Sequence, residues 1–377
     1  MKKVVVVGLG QMGNLYVEKL MRLGIVPKHI IGIDIDPAKI VAAKEKFPGV
    51  TLLGHIDETA IHNPTSEPCD QIKCSIAGYV DTAIVATNTP SHHRVIIELM
   101  ERGVKSILCE KPLGISADAV SEIQEVMNRT GAQVFTAFLM NFSLAILHVI
   151  KRMQDEGLIM TEGSAVRGKN RFGDSRPTPG DLKDETVHGA GILQNLCAVN
   201  QKIRRIDVLA QLTYSEYTSF EAQVKARALD PSFPMEVNAS TMALEVITTD
   251  KGEVPCNLHS SFLLSSQTCR ITAVLSRAHD PLQPVYSVEF NFDVKVDGKI
   301  IDKLMITTLD GNVIENLEFG ADKLGDQTAA FLAAASGSEV DPRLTDFNEA
   351  RNAVKFTEAA LQSHKSKSMM TAYIAGS

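Results

Sequence analysis

The stretch Val4-Val5-Val6-Val7-Gly8-Leu9-Gly10-Gln11-Met12-Gly13 decides the fold. Four valines in a row read as a strand covered on both faces. Three glycines at GxGxxG spacing follow at once. They open a helical pattern in which Met12, Tyr16, Leu20 and Leu23 recur at one face until Gly24 closes it. Strand, glycine turn and helix in that order begin a βαβ unit whose turn accepts a pyrophosphate. Gly8 permits the tight turn, Gly10 lets a phosphate approach the backbone, and Gly13 lets helix pack on strand. The helix start, at Gln11 and Met12, offers free N–H groups to the phosphates. Asp34 ends the second apolar run, about 21 residues past Gly13. Its carboxylate suits the ribose hydroxyls and repels a 2′-phosphate, so NAD is expected and NADP disfavoured.

Outward from there, short β-branched runs at 30–33, 82–85, 106–108 and 133–135 alternate with amphipathic segments. That alternation predicts right-handed crossovers and a parallel sheet, a Rossmann domain over residues 1–139. Beyond about residue 160 the pattern changes to long, partly alternating segments near 205–213, 240–248, 253–264, 285–296 and 303–308. Asp250-Lys251-Gly252, Asp297-Gly298 and Asp310-Gly311 mark hairpin corners between them. Residues 140–377 are therefore read as an α+β domain with a large, mostly antiparallel open sheet. Asp346 and Glu349 form a capping-box pattern before Phe347, Ala350, Val354 and Leu361. The helix at 346–363 is expected to pack back near the first domain. The whole chain is α/β.

Composition narrows the function. Among 377 residues, 38 basic and 45 acidic side chains give a net charge of −7. That balance argues against a nucleic-acid or anionic-membrane partner. Tryptophan is absent, which removes the strongest base-stacking side chain. Cys69, Cys74, Cys109, Cys197, Cys256 and Cys269 show no zinc-ligand spacing and read as reduced thiols of a cytoplasmic protein; no metal site is expected. The apolar run after Lys2-Lys3 breaks at Gly8, too early for a signal peptide, and no run is long enough to span a membrane. No G-x-S-x-G elbow or P-loop occurs.

Two further loops lie at carboxyl ends of strands, where open α/β sheets bind ligands. One holds Thr87, Asn88, Pro90 and His92; the other holds Glu110, Lys111 and Pro112. Together with the glycine turn, the Glu-Lys-Pro tripeptide after an AT-x-x-P-x-x-H-like loop resembles the Gfo/Idh/MocA oxidoreductases. The likeness extends over most of the chain. The resemblance implies that these loop residues face the cofactor and that Lys111 contacts both the nicotinamide side and the reacting substrate oxygen. The family's second signature, D-x-x-x-H on a helix, is matched by Asp184 and His188 after a loop holding Pro177 and Pro179. Helical i, i+4 spacing places both on one face. That spacing also fits a helix-capping aspartate and a structural histidine; the resemblance implies that His188 serves as general base, with Asp184 binding a neighbouring hydroxyl or orienting the ring. The chain departs from the family at Met140-Asn141-Phe142-Ser143, at Gly189-Ala190-Gly191, in a longer link at 55–77 and at 278–296.

The expected activity is hydride transfer between NAD and a secondary alcohol or ketone of a sugar, amino sugar or cyclitol. A non-catalytic NAD or ligand sensor on the same fold is the rival, and Lys111, Asp184 and His188 together argue against it, since a sensor needs no proton-transfer group. Imine reduction is a third option. If residues 165–172 form a strand, Arg167, Lys169 and Arg171 project from one face. Crowded cations need counter-charges or an anion. Two readings follow: an anionic substrate held by Arg167 and Lys169, or pairing with Asp and Glu. The resemblance further implies a homodimer or homotetramer assembled through the second domain's sheet.

Overall fold

The computed structural model describes residues 3–56, 80–171, 178–214, 220–229, 237–320 and 322–374. Cys69, Cys74, Phe172, Pro177 and most of the link at 55–77 lie outside those residues. The chain divides into two compact units, one of residues 1–139 and 324–351, the other of residues 140–323 and 352–377.

In the first unit the valine run is β1 (Lys3–Val7), followed by α1 (Gln11–Arg22), β2 (Ile30–Ile33), α2 (Pro37–Lys46) and β3 (Thr51–Leu53). Then come β4 (Val80–Val85), α3 (His92–Glu101), β5 (Ser106–Glu110), α4 (Ala117–Thr130) and β6 (Gln133–Ala137). The sheet order is β3-β2-β1-β4-β5-β6, and every pair is parallel. This is the doubly wound Rossmann order, and it reverses between β1 and β4. Each helix shows its reason. α1 buries Gly13, Tyr16, Val17 and Leu20 on one face. α4 starts where Ser116 Oγ accepts the Ala119 N–H at 3.2 Å, and it stops at Gly131, whose φ of 67° suits glycine. Residues 324–351 join this unit: Thr345 pairs with Thr136 beside β6, and Phe331 meets Phe135 edge-on at 6.2 Å.

The second unit opens with α5 (Leu144–Glu156), β7 (Leu158–Asn170), α6 (Val187–Cys197), β8 (Ile203–Tyr214) and α7 (Phe220–Leu229). A β-hairpin of β9 (Asn238–Thr249) and β10 (Glu253–Ser261) follows, then a meander of β11 (Leu263–Arg277), β12 (Asp280–Val296), β13 (Lys299–Thr308) and β14 (Val313–Phe319), with β7 lying between β10 and β11. The chain then runs through α8 (Lys323–Ala335), α9 (Phe347–Ser366) and β15 (Met370–Ile374). The nine strands lie in the order β14-β13-β12-β11-β7-β10-β9-β8-β15. All pairs are antiparallel except β7 with β10. Hairpins turn at the three expected corners, with positive φ at Gly252, Asp297, Gly298 and Gly311. One sheet face carries the core, in which Ile206, Val208, Ile247, Leu258, Ile271, Phe290 and Leu304 pack with Leu193, Leu196 and Phe356 of the helices. α9 begins with a reciprocal capping box: Glu349 N–H donates to Asp346 Oδ1 at 2.9 Å, and Asp346 N–H donates to Glu349 Oε2 at 3.2 Å. Its last turn docks on β8, where Ser363 Oγ and His364 Nδ1 accept the N–H groups of Ala210 and Leu212.

Glu245 sits on the core face of β9 with no solvent exposure, taking Gln194 Nε2 at 2.6 Å. Burial raises its pKa to about 8, against the lowering effect of that hydrogen bond. Folded protein thus holds a proton that the unfolded chain releases near pH 4.5, and stability falls as pH rises through that window to about 8. Glu245→Gln should leave stability near wild type at pH 5 and raise it above pH 8, by an amount on the order of 4 kcal/mol. Denaturant melts at both pH values check this, and parallel curves for the two proteins would reject it.

Candidate active site

The three glycines behave as three different devices. Gly8 has φ +93°, and a Cβ there would stand 2.6 Å from the Ala86 carbonyl oxygen. A Cβ on Gly13 would stand 1.7 Å from the Gly8 oxygen, so helix and turn touch backbone to backbone. A Cβ on Gly10 would meet nothing within 4 Å. Gly10 is also the N-cap of α1, with no side-chain cap and no acidic residue in the first turn. Gln11 is exposed and Met12 partly exposed beside it. An uncapped helix N-terminus with open space above a glycine is an anion cradle. Asn14 braces the turn by donating from Nδ2 to the Leu9 oxygen at 3.1 Å.

Asp34 stands where expected, at the end of β2, only 6% exposed. Its Oδ2 accepts the Leu9 N–H at 2.7 Å, its Oδ1 accepts the Asp36 N–H at 2.9 Å, and Lys39 Nζ lies 3.4 Å from Oδ2. A carboxylate has about four lone-pair sites, so it fixes the glycine turn with capacity left for hydroxyl donors.

The loops after β4 and β5 are joined by His92, which is 1% exposed. Its Nδ1 lies 2.8 Å from the Pro112 oxygen and its Nε2 lies 3.1 Å from the Thr87 oxygen. Burial lowers its pKa against the pull of both carbonyls, and the Lys111 charge lowers it further. This geometry makes His92 a tie between the two loops. Asn88 Oδ1 accepts Ser91 Oγ at 2.6 Å, and Pro90 is buried in the short turn between them. Glu110 is tied from beneath: the fully buried Tyr16 donates its hydroxyl to Glu110 Oε1 at 2.8 Å. Sequence reading missed Tyr16, whose signal was a hydroxyl on an otherwise apolar helix face. Lys111, partly exposed, follows at the end of β5 and precedes a cis bond to Pro112.

In the second unit, Asp184 and His188 do not share one regular helix. Residues Leu182–Thr186 form a π-turn, and the α-helix begins at Val187. The i, i+4 argument for a common face therefore does not carry over, because a π-turn is wider than an α-turn. The strand at 165–170 exists, and its cations face this turn. Arg167 Nη2 lies 3.2 Å from Glu185 Oε2, and Lys169 Nζ lies 2.5 Å from Glu185 Oε1 and 3.3 Å from Asp184 Oδ2. Arg171 Nη1 lies 3.0 Å from Asp184 Oδ2. The cations meet counter-charges from the same chain, and Glu185 joins a set that the sequence reading had left without it. Deeper in the unit, Lys323 Nζ binds Asp293 at 2.7 Å and Asp302 at 2.9 Å. Burial works against the charge of Arg167, while Cys269, then Glu185 and least of all Asp293 sustain it. Gly189 explains one departure from the family: a Cβ there would lie 2.8 Å from Ala165 Cβ, so α6 needs it to approach β7. Above Gly191 nothing lies within 4 Å.

Residues 2–138 match a family model described as an oxidoreductase family with an NAD-binding Rossmann fold, GFO_IDH_MocA. An inositol 2-dehydrogenase of Arthrobacter sp. (strain FB24) is 28% identical over 129 residues. That stretch is 34% of this chain, and the chain spans about a third of that relative's length, 34%. Among solved structures, a myo-inositol dehydrogenase from Corynebacterium glutamicum superposes with TM-score 0.67 at 15% identity, covering 100% of both chains. A UDP-N-acetylglucosamine 3-dehydrogenase from Acidithiobacillus ferrooxidans gives 0.67 at 14% identity, covering 97% of this chain and 98% of that one. These likenesses extend the shared fold through the second unit. Residues 2–138 are thus similar to the NAD-binding Rossmann fold of the Gfo/Idh/MocA oxidoreductase family.

Proposed function

We propose that this chain is an NAD-dependent dehydrogenase acting on a secondary alcohol or ketone of a sugar, amino sugar or cyclitol that bears no anionic group. The observation that carries the substrate class is the pairing around Asp184 and Glu185. Among the described residues, Arg167, Lys169 and Arg171 pair with Asp184 and Glu185, and Lys323 pairs with Asp293 and Asp302. The crowded cations therefore need no substrate anion to neutralise them, and Arg167 and Lys169 act by setting the carboxylates in place.

In the first unit Gly10, Gln11 and Met12 would hold the phosphates of NAD, Asp34 its ribose, and Thr87, Asn88, Pro90, Glu110, Lys111 and Pro112 its nicotinamide end. When bound, the nicotinamide supplies the hydride acceptor. His188 takes the hydroxyl proton, Lys111 stabilises the charge that develops on the substrate oxygen, and Asp184 binds a neighbouring hydroxyl. Copies of the chain assemble through the open sheet face, where Leu209 and Met242 stand exposed, as a homodimer or homotetramer in the cytoplasm. No helix among the described residues is long and apolar enough to cross a membrane.

Asp34 sets the first test. NAD(H) should bind at least tenfold tighter than NADP(H), a difference of about 1.4 kcal/mol. Titrating both cofactors against the protein reads this directly. Equal affinities would remove Asp34 from its role.

A further inference from the structure

The π-turn that carries Asp184 and Glu185 is preceded by Asp181, a fully buried carboxylate which the mechanism above does not use. Its Oδ2 accepts two hydroxyls from the sheet, Ser260 Oγ of β10 at 2.5 Å and Thr241 Oγ1 of β9 at 2.8 Å. Each hydroxyl is in turn held by another group. Asn238 Nδ2 donates to Thr241 Oγ1 at 2.8 Å, and Thr186 Oγ1 lies 2.5 Å from Ser260 Oγ. A consistent set of donors runs Asn238 to Thr241 to Asp181 on one side and Thr186 to Ser260 to Asp181 on the other. Asp181 and Thr186, five residues apart, bracket the π-turn, and Ser260 holds both ends. Asn238 Oδ1 adds a fourth tie by accepting the Leu182 N–H at 3.3 Å.

We propose that Asp181 is a positioning residue: through Ser260 and Thr241 it pins the π-turn to β9 and β10 and so fixes where Asp184 and His188 present their side chains. This inference rests on the proposed dehydrogenase reading for the roles of Asp184 and His188. A π-turn is less favourable than an α-turn and persists where other contacts hold it. The convergent hydroxyls are such contacts, and an ionised acceptor holds them more strongly than a neutral one. The charges facing Asp181 are Glu185 and Asp184 on its own turn, while β9 and β10 present the neutral groups Asn238, Thr241 and Ser260. Oδ1 is buried with no hydrogen-bond partner among the described residues. Burial raises the Asp181 pKa to about 7, while the two hydroxyls pull it down and the neighbouring carboxylates push it up. Protonation at Oδ1 leaves Oδ2 an acceptor but removes the charge that strengthens both hydroxyl hydrogen bonds, so the clamp weakens as pH falls through neutrality.

Asp181→Asn and Thr241→Val remove the acceptor charge and one donor, and Thr241→Ser keeps the hydroxyl. Two readouts are used: kcat and KM across pH with saturating NAD, and the NMR titration of the His188 ring without substrate. Asp181→Asn and Thr241→Val should lower kcat tenfold or more, leave NAD affinity within twofold, and move the His188 midpoint by at least half a pH unit. Thr241→Ser should restore the wild-type midpoint. Unchanged kcat and an unchanged midpoint in both variants, even with a lower melting temperature, would overturn the proposal. If the wild-type protein oxidises none of the alcohols tried, the dehydrogenase reading fails on its own, and the ring titration still decides for or against the clamp.

Discussion

Lys111→Met and His188→Ala should each lower kcat by roughly two to four powers of ten, the usual loss when charge stabilisation or proton transfer is removed. The two losses should differ in kind. Lys111 lies at the end of β5 in the NAD-binding unit, one residue from the Pro112 carbonyl that His92 holds. Its removal should also weaken NAD binding. His188 lies in the second unit and is buried at 9% exposure near the start of α6. Its removal should leave NAD affinity intact and flatten the neutral limb of the kcat/KM profile for alcohol oxidation. Steady-state kinetics with cofactor titrations separate the two, and a His188→Ala protein with wild-type turnover would end its assignment as base.

The glycine turn gives the second large effect, because neighbouring glycines should fail in opposite ways. Gly10→Leu places a side chain in open space, so the protein should fold with an unchanged melting temperature and lose both NAD(H) and NADP(H). Gly13→Ala drives a methyl group to within 1.7 Å of the Gly8 oxygen, a contact that only backbone movement relieves. Its melting temperature should fall sharply, because overpacking of this kind costs about 1–3 kcal/mol or more. Calorimetry and cofactor titration on both variants check the contrast. A Gly10→Leu protein that still binds NAD would place the pyrophosphate elsewhere.

Where a signal was local, it was legible in the sequence. Val4 to Gly13 specified a strand, a turn and a helix start, and Asp34 fell at the end of β2 because βαβ spacing is narrow. The hairpin corners at Gly252, Gly298 and Gly311 were legible for a similar reason: positive φ selects glycine and aspartate. Other elements hid. β3 is three half-buried residues, Thr51–Leu53, and β14 alternates with little full burial, so neither shows a strong period. β15 is an edge strand whose pairing with β8 depends on a partner more than 150 residues away in sequence. The parallel pairing of β7 with β10 likewise has no local signature.

The site followed the same division. Gly8, Gly10, Gly13 and Asp34 stand where their spacing placed them, whereas the π-turn at Leu182–Thr186 was invisible to a helical-wheel argument. The stripe of Arg167, Lys169 and Arg171 was legible as a stripe. Its counter-charges were not, because Asp184 and Glu185 come to it only through tertiary packing. Tyr16, Asp181, Thr241 and Ser260 are polar groups in apolar surroundings, and their meaning lies in partners far along the chain.

The most direct test of the account follows nicotinamide absorbance when the protein and NAD are mixed with cyclitols, free sugars and amino sugars, beside their phosphorylated, carboxylated and nucleotide-linked counterparts. The account predicts NADH formation with at least one compound lacking an anionic group, a KM that ignores moderate salt, and loss of the signal in Lys111→Met and His188→Ala. Turnover confined to anionic compounds, with KM climbing as salt is added, would contradict it.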